Sequence, residues 1–261
     1  MTSYKQDGKV GPWAQEKLKC LGDYLAAYTT ILKDQNWCDE YYYIDAFAGA
    51  GKAELRPENN VQNSTEKFLF EISSYGSSDE DAATYIEGSP YVALDLEYPF
   101  TQYIFIDNNP ARIEKLSAIK DEYSSRRQID VVSGDAAVAI QKFLDDPSIN
   151  LTKYRAVVFL DPFGMQVPWS VIEALAQTHK IEVILNLPVG TTIQRKLPRS
   201  GKFTDEEMLE LDAYFGSSEW HDVIYEKSPN LFGDMDINKV GQSGERLAEW
   251  YRKRLKEAFG F

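Results

Sequence analysis

Residues 41–54 read YYYIDAFAGAGKAE. A run of strand-forming residues over 41–46 carries an acid, Asp45, and Gly49 and Gly51 then flank a single alanine. A buried strand that turns in this way predicts a nucleotide-like ligand beyond its carboxyl end. Three ligands compete for the turn. A phosphate-binding P-loop needs G-x-x-x-x-G-K-[ST]. Counted from Gly51-Lys52, its first glycine falls on Ala46 and its Ser/Thr on Ala53, so the pattern fails twice. A dinucleotide turn needs a further small residue after G-x-G, and Lys52, Ala53 and Glu54 follow instead. S-adenosylmethionine (SAM) remains. It has no phosphate to cradle, its ammonium calls for a carboxylate, which Asp45 supplies, and glycines let the backbone approach it closely.

Outward from this turn the chain alternates. Predicted strands at 102–107 (QYIFID), 128–133 (QIDVVS), 156–160 (AVVFL) and 181–187 (IEVILNL) are separated by helices at 109–123, 135–144 and 169–178. Apolar strands alternating with helices predict a doubly wound, mainly parallel α/β sheet covered on both faces. Asn109-Pro110 supplies a cap and a proline at N1 for the first of these helices. Before the first strand, residues 14–33 place Leu18, Leu21, Leu25, Tyr28 and Leu32 at helical spacing. The polar text from Lys52 to about Ser78 predicts a long functional loop, and GSPYVALDL a helix after it. Beyond Leu187 the pattern predicts helices only, at 205–215, 219–226 and 244–258. The expected division is an α/β domain over 1–202 and a helical insertion with C-terminal helices over 203–261.

Composition narrows the function. The chain has 261 residues, 43% hydrophobic and 26% charged, which suits a globular protein with one large core. No stretch approaches the ~20 apolar residues of a membrane span, and the first residues, MTSYKQDGKVGPW, hold no signal-type apolar run. Cys20 and Cys38 read as reduced thiols and His179 and His221 lie far apart, so the expectation is a cytoplasmic protein without metal. A net charge of −13 argues against a broad nucleic-acid surface. It leaves room for local basic clusters, one at Arg195, Lys196, Arg199 and Lys202, another at Arg252, Lys253, Arg254 and Lys256. Either also reads as a solvated face. The first, at the mouth of the segment after Leu187, is the expected substrate contact.

Four strands end in, or run into, an acid: Asp45, Asp107, Asp135 and Asp161. Each alone also serves as a turn former or N-cap. Together, beside the glycine turn, they predict a cofactor site in which Asp107 accepts the ribose hydroxyls and Asp135, after Gly134, the adenine amine. Phe47 within the turn and Asn108 beside Asp107 complete the expected cofactor set. The fourth strand ends FLDPFGMQVPW. Its Asp-Pro-aromatic turn resembles the [DNS]-P-P-[YFW] motif of methyltransferases that act on exocyclic amines, and tRNA guanine-N2 dimethyltransferases share the tetrapeptide DPFG. Such an amine is a poor nucleophile because its lone pair is delocalised into the ring. Acceptors for its N–H bonds localise that pair, and positioning carries most of the catalysis. On this reading Asp161 accepts from the amine, the Pro162 carbonyl assists and Phe163 offers a stacking face. Gly164 stands where the motif has an aromatic residue.

The order WAQEKLKCLGDYLAAYTTIL, YYYIDAFAGAGK, GSPYVAL, FIDNNP, SGDA, VVFLDPFGMQVPW, VILNLPVGTTIQRKL, LDAYFGSSEW and YRKRL resembles the three-Cys-motif partner (TcmP) proteins over nearly the whole chain. The resemblance implies a bacterial, Rossmann-like class I SAM-dependent methyltransferase encoded beside a small three-cysteine protein, its substrate unsettled. Ala50 stands where such families have proline. Class I methyltransferase sheets have seven strands, whereas the text shows five. The expectation is a truncated or shortened chain lacking the last two strands, with an unprotected edge at 181–187. The leading functional expectation is SAM-dependent N-methylation of a nucleobase amine in RNA or DNA. Against it stand a binding module, non-catalytic or partner-dependent, that acts with a three-cysteine protein in a mobile-element or defence operon, and methylation of a protein side chain or small molecule.

Overall fold

A computed structural model describes residues 12–54, 85–189, 193–229 and 235–260. In chain order the elements are α1 (Pro12–Leu32), β1 (Glu40–Asp45), β2 (Lys52–Glu54), β3 (Tyr85–Glu87), α2 (Ser89–Leu94), β4 (Gln102–Asp107), α3 (Pro110–Tyr123), β5 (Ile129–Ser133) and α4 (Ala136–Leu144). They continue with β6 (Tyr154–Leu160), α5 (Trp169–Gln177), β7 (Ile181–Leu185), α6 (Gln194–Lys196), α7 (Asp205–Phe215), α8 (Trp220–Ile224), β8 (Tyr225–Pro229), β9 (Met235–Lys239) and α9 (Ser243–Phe259).

The main sheet has the order β5-β4-β1-β6-β7, with every pair parallel. This is the doubly wound α/β arrangement that the alternation predicts, and its strands coincide with the expected ones to within a few residues. The chain winds outward from β1 through β4 to β5, then returns to β6 on the other side. The order therefore reverses at the β1–β6 pair, where a crevice opens beyond the carboxyl ends of an open sheet.

Side chains alternate between two cores. Tyr42, Ile44, Ala156, Val158 and Leu160 join one buried cluster with α4, α5, α7, α8 and α9. Tyr43, Phe105, Val157 and Phe159 join the other with α1, α2 and α3. Because successive strand residues point to opposite faces, parity fixes where the strand-end acids go. Asp45 follows Tyr43, Asp107 follows Phe105 and Asp161 follows Phe159, so all three lie on the α1–α3 side.

The helices-only reading of 203–261 needs correction. Besides α7, α8 and α9 this segment holds the antiparallel hairpin β8–β9, paired from Tyr225↔Lys239 to Pro229↔Met235. A second short hairpin pairs β2, at the start of the predicted long loop, with β3 beyond its end; residues 55–84 lie outside the described ones. Both hairpins form sheets of their own. Among the described residues β7 pairs only with β6. Residues of 203–261 also share a core with the sheet: Leu211, Phe215, Trp220 and Leu247 are buried in the cluster that holds Ile44 and Val158.

Local signals explain the helix ends. Asn109 caps α3 by accepting from the Ala111 N–H, with Pro110 at N1, so Asp107 is free of that duty. Thr204 and Glu207 form a reciprocal capping box at α7. Gly216, left-handed at φ 68°, ends that helix.

Candidate functional site

The turn after β1 is stitched across the point of reversal. The Ala46 N–H donates to the Phe159 carbonyl of β6, and the Ala48 N–H to the Ile106 carbonyl of β4. The Gly49 N–H then reaches the Asp107 carboxylate, at 3.1 Å from Oδ2. Gly49 (φ 66°) and Gly51 (φ 78°) are both left-handed, the conformation for which glycine carries no penalty. They differ in surroundings. A Cβ at Gly51 would fall 2.4 Å from Ile119 Cδ1, whereas one at Gly49 would meet nothing within 4 Å. Gly51 is needed for packing. Gly49 borders open space.

Asp107 closes the neighbouring strand and is buried. Its Oδ1 accepts the Asn109 N–H at 2.8 Å, and Arg112 NH1 stands 3.5 Å from Oδ2. The Gly134 N–H bonds the Asp107 carbonyl, which ties the ends of β4 and β5 together. Gly134 has φ 146°, and a Cβ there would likewise meet nothing within 4 Å. Open space thus borders both glycines that bond Asp107. Asp135 is exposed and caps α4 by accepting the Val138 N–H at 3.1 Å. Asn108 is exposed, and Phe47 is half-buried against the sheet core.

Asp45 is 0% exposed. Burial pushes its carboxyl up to about 7 and the Asp161 charge adds to that, while hydrogen bonds from the Ser89 hydroxyl, the Phe47 N–H and the Tyr43 hydroxyl pull the other way. Two acids of the predicted set therefore sense each other across the β1–β6 pair.

Asp161 is held at both oxygens. Asn186 Nδ2 donates to Oδ1 at 2.7 Å, and Lys17 of α1 forms an ion pair with Oδ2. Pro162 is buried. The Phe163 N–H donates to Gln166 Oε1 at 2.9 Å, closing the DPFG turn. Phe163 itself is 72% exposed, with the Arg112 guanidinium 5.4 Å from its ring centroid. Gly164 is half-buried and is not among the positive-φ glycines. One arginine thus links the β4 acid to the aromatic face beside Asp161.

The structure thus joins Asp45, Gly49, Asp107, Gly134 and Asp161 along one sheet edge. The basic cluster stands differently. Lys196 is paired with Glu210 of α7, and the Arg199 carbonyl accepts the Lys239 N–H. Arg195 and Arg199 are exposed. In the second cluster, Arg252 and Lys253 pair with Glu249 and Glu257 on the same helix. Arg254 packs over Trp169 and Trp250, a structural role. Cys20 and Cys38 are free thiols. Among the described residues no group of three or more His, Cys, Asp or Glu is placed to hold a metal, and no helix is long and apolar enough to cross a membrane.

Sequence reasoning missed Lys17, Ser89, Arg112 and Asn186. For Asn186 a signal existed. It directly follows β7 and shares parity with Ile184, which packs on the α1–α3 side, a signal that a search for strand-end acids passes over.

No family model matches this chain, and no curated protein does. Among solved structures it is similar to protein LPL1258 from Legionella pneumophila str. Philadelphia 1, described under the family model DUF519. The TM-score is 0.44 and the identity 13%, over 90% of each chain.

Proposed function

We propose that this chain is a SAM-dependent N-methyltransferase acting on an exocyclic amine of a nucleobase. One observation carries the reading: Asp45, Asp107 and Asp161 end adjacent strands on one face of the sheet, with the Gly49 N–H bonded to Asp107. The glycine turn and the open space at Gly49 and Gly134 fit a ligand lying against Asp107. SAM supplies an electrophilic methyl on a sulfonium. Asp45 is the carboxylate for its ammonium, Asp107 for its ribose and Asp135 for its adenine amine. Asp161, oriented by its two donors, accepts an N–H of the substrate amine, and Phe163 stacks on the base. A base within a duplex would have to be flipped out to reach Asp161. Exposed Arg195 and Arg199 serve as outlying phosphate contacts, while Lys196 is already paired.

A second reading is favoured by the complete burial of Asp45. The cofactor edge is closed around that carboxyl, and a partner would open it. The resemblance to three-Cys-motif partner proteins points to a small cysteine-bearing protein in that role.

Transfer of tritiated methyl from SAM to the RNA, DNA and protein of a cell extract, by the wild type and by Asp161→Ala, tests the proposal. Label in nucleic acid with the wild type, lost with Asp161→Ala, is the expected result. Equal transfer by a folded Asp161→Ala would remove Asp161 from the chemistry. Label in protein alone would move the substrate class.

A further inference from the structure

We propose that Lys17 of α1 is a positioning residue of this site, holding the Asp161 carboxylate in place and balancing the charge beside the transferred methyl. The inference rests on the methyltransferase reading. Lys17 and Asp161 lie 144 residues apart in sequence and meet only through the packing of α1 on the sheet. Their side chains are 22% and 25% exposed, so solvent screens the pair less than one on the open surface. The Trp13 ring lies 4.7 Å from the ammonium, shielding it further. Anchoring of α1 does not need the pair, because Leu21, Leu25 and Leu32 are buried and Tyr24 reaches Glu182 of β7.

The pair has a chemical use. With Lys17 on Oδ2 and Asn186 on Oδ1, the carboxylate is fixed in direction. A carboxylate offers about four lone-pair sites, so capacity remains for the incoming N–H. Asp45 also lies within reach of the Asp161 charge, and without Lys17 the Asp161 carboxylate would lose its ion-pair partner, while the Arg112 guanidinium stands by Asp107. A sulfonium cation would then be bound too strongly relative to the uncharged thioether left after transfer. Lys17 offsets that imbalance.

Calorimetric titration with SAM and with S-adenosylhomocysteine tests this, using the wild type, Lys17→Met, Lys17→Arg and Asp161→Asn. Lys17→Met keeps the apolar stem and removes the charge. It should raise the preference for SAM over S-adenosylhomocysteine by roughly fivefold, as one uncompensated charge at close range predicts. Lys17→Arg should restore the wild-type ratio, and Asp161→Asn should lower it below the wild type. A ratio unchanged within about twofold in both Lys17→Met and Asp161→Asn, with binding retained, would overturn the role of Lys17 alone. No binding of either compound by the folded wild type would overturn the methyltransferase reading, and this role with it.

Discussion

The two ends of DPFGMQVPW lie close in sequence and in opposite environments. At the front, Asp161 is held by Lys17 and Asn186, and Phe163 is 72% exposed. At the back, Trp169 is buried beneath Gly216, edge-on to Tyr251 and under the Arg254 guanidinium. The FGSSEW stretch supplies that cover, with Phe215 and Trp220 in the same aromatic cluster. One stretch of text therefore does two jobs. Its front is exposed at Phe163, and its back ties α7 and α9 to the sheet.

The contrast breaks most sharply at Gly216 and Phe163. A Cβ at Gly216 would fall 2.1 Å from Trp169 Cδ1 and Cγ, at a φ of +68° that other residues rarely adopt. Gly216→Ala should cost about 3 kcal/mol or more, through overpacking added to backbone strain. Urea denaturation reads this as a lower midpoint. Phe163→Ala should stay within about 0.5 kcal/mol of the wild type and lose most methyl transfer. Comparable losses of stability in both variants would erase the distinction between front and back.

Asp45 gives a smaller effect that depends on pH. Its folded pKa, about 7, stands above the ordinary value of 3.8. Between those values the folded chain keeps a proton that the unfolded chain has released. The stability due to that proton is fully present below about pH 4 and is lost as pH rises through about 7, with a slope of at most about 1.4 kcal/mol per pH unit. Asp45→Asn should flatten this fall, gaining on the wild type between pH 5 and pH 8. Parallel stability curves for the two proteins would show that Asp45 is not the group responsible.

The main sheet was readable because buried strands are runs of Val, Ile, Phe and Tyr bounded by turn residues. The hairpins were not. YEKSP and MDINK carry mostly exposed residues, so they are strands through pairing with each other rather than by burial, and β2 and β3 are too short to show a period. The acids at the strand ends were legible because parity and strand termini are properties of the text. Lys17 was not, since a polar residue on a helix gives no sign of the partner that packing will bring. Asn109 as the cap of α3 was foreseen; its N–H bonds Asp107 Oδ1, and Oδ2 is left to the glycine turn and Arg112. The basic run at 252–256 was open to the plainer reading. Two of its members are paired along α9, and Arg254 covers Trp169.

If SAM binds beyond the carboxyl ends of β1, β4 and β6, isothermal titration at pH 6 and pH 8, with Asp107→Ala alongside, will detect it. Binding on the order of micromolar is expected, tighter at pH 8, where Asp45 has given up its proton, and weakened at least about tenfold in Asp107→Ala, a loss of about 1.4 kcal/mol. No heat from a folded wild-type chain, or equal affinity in the variant, would contradict it.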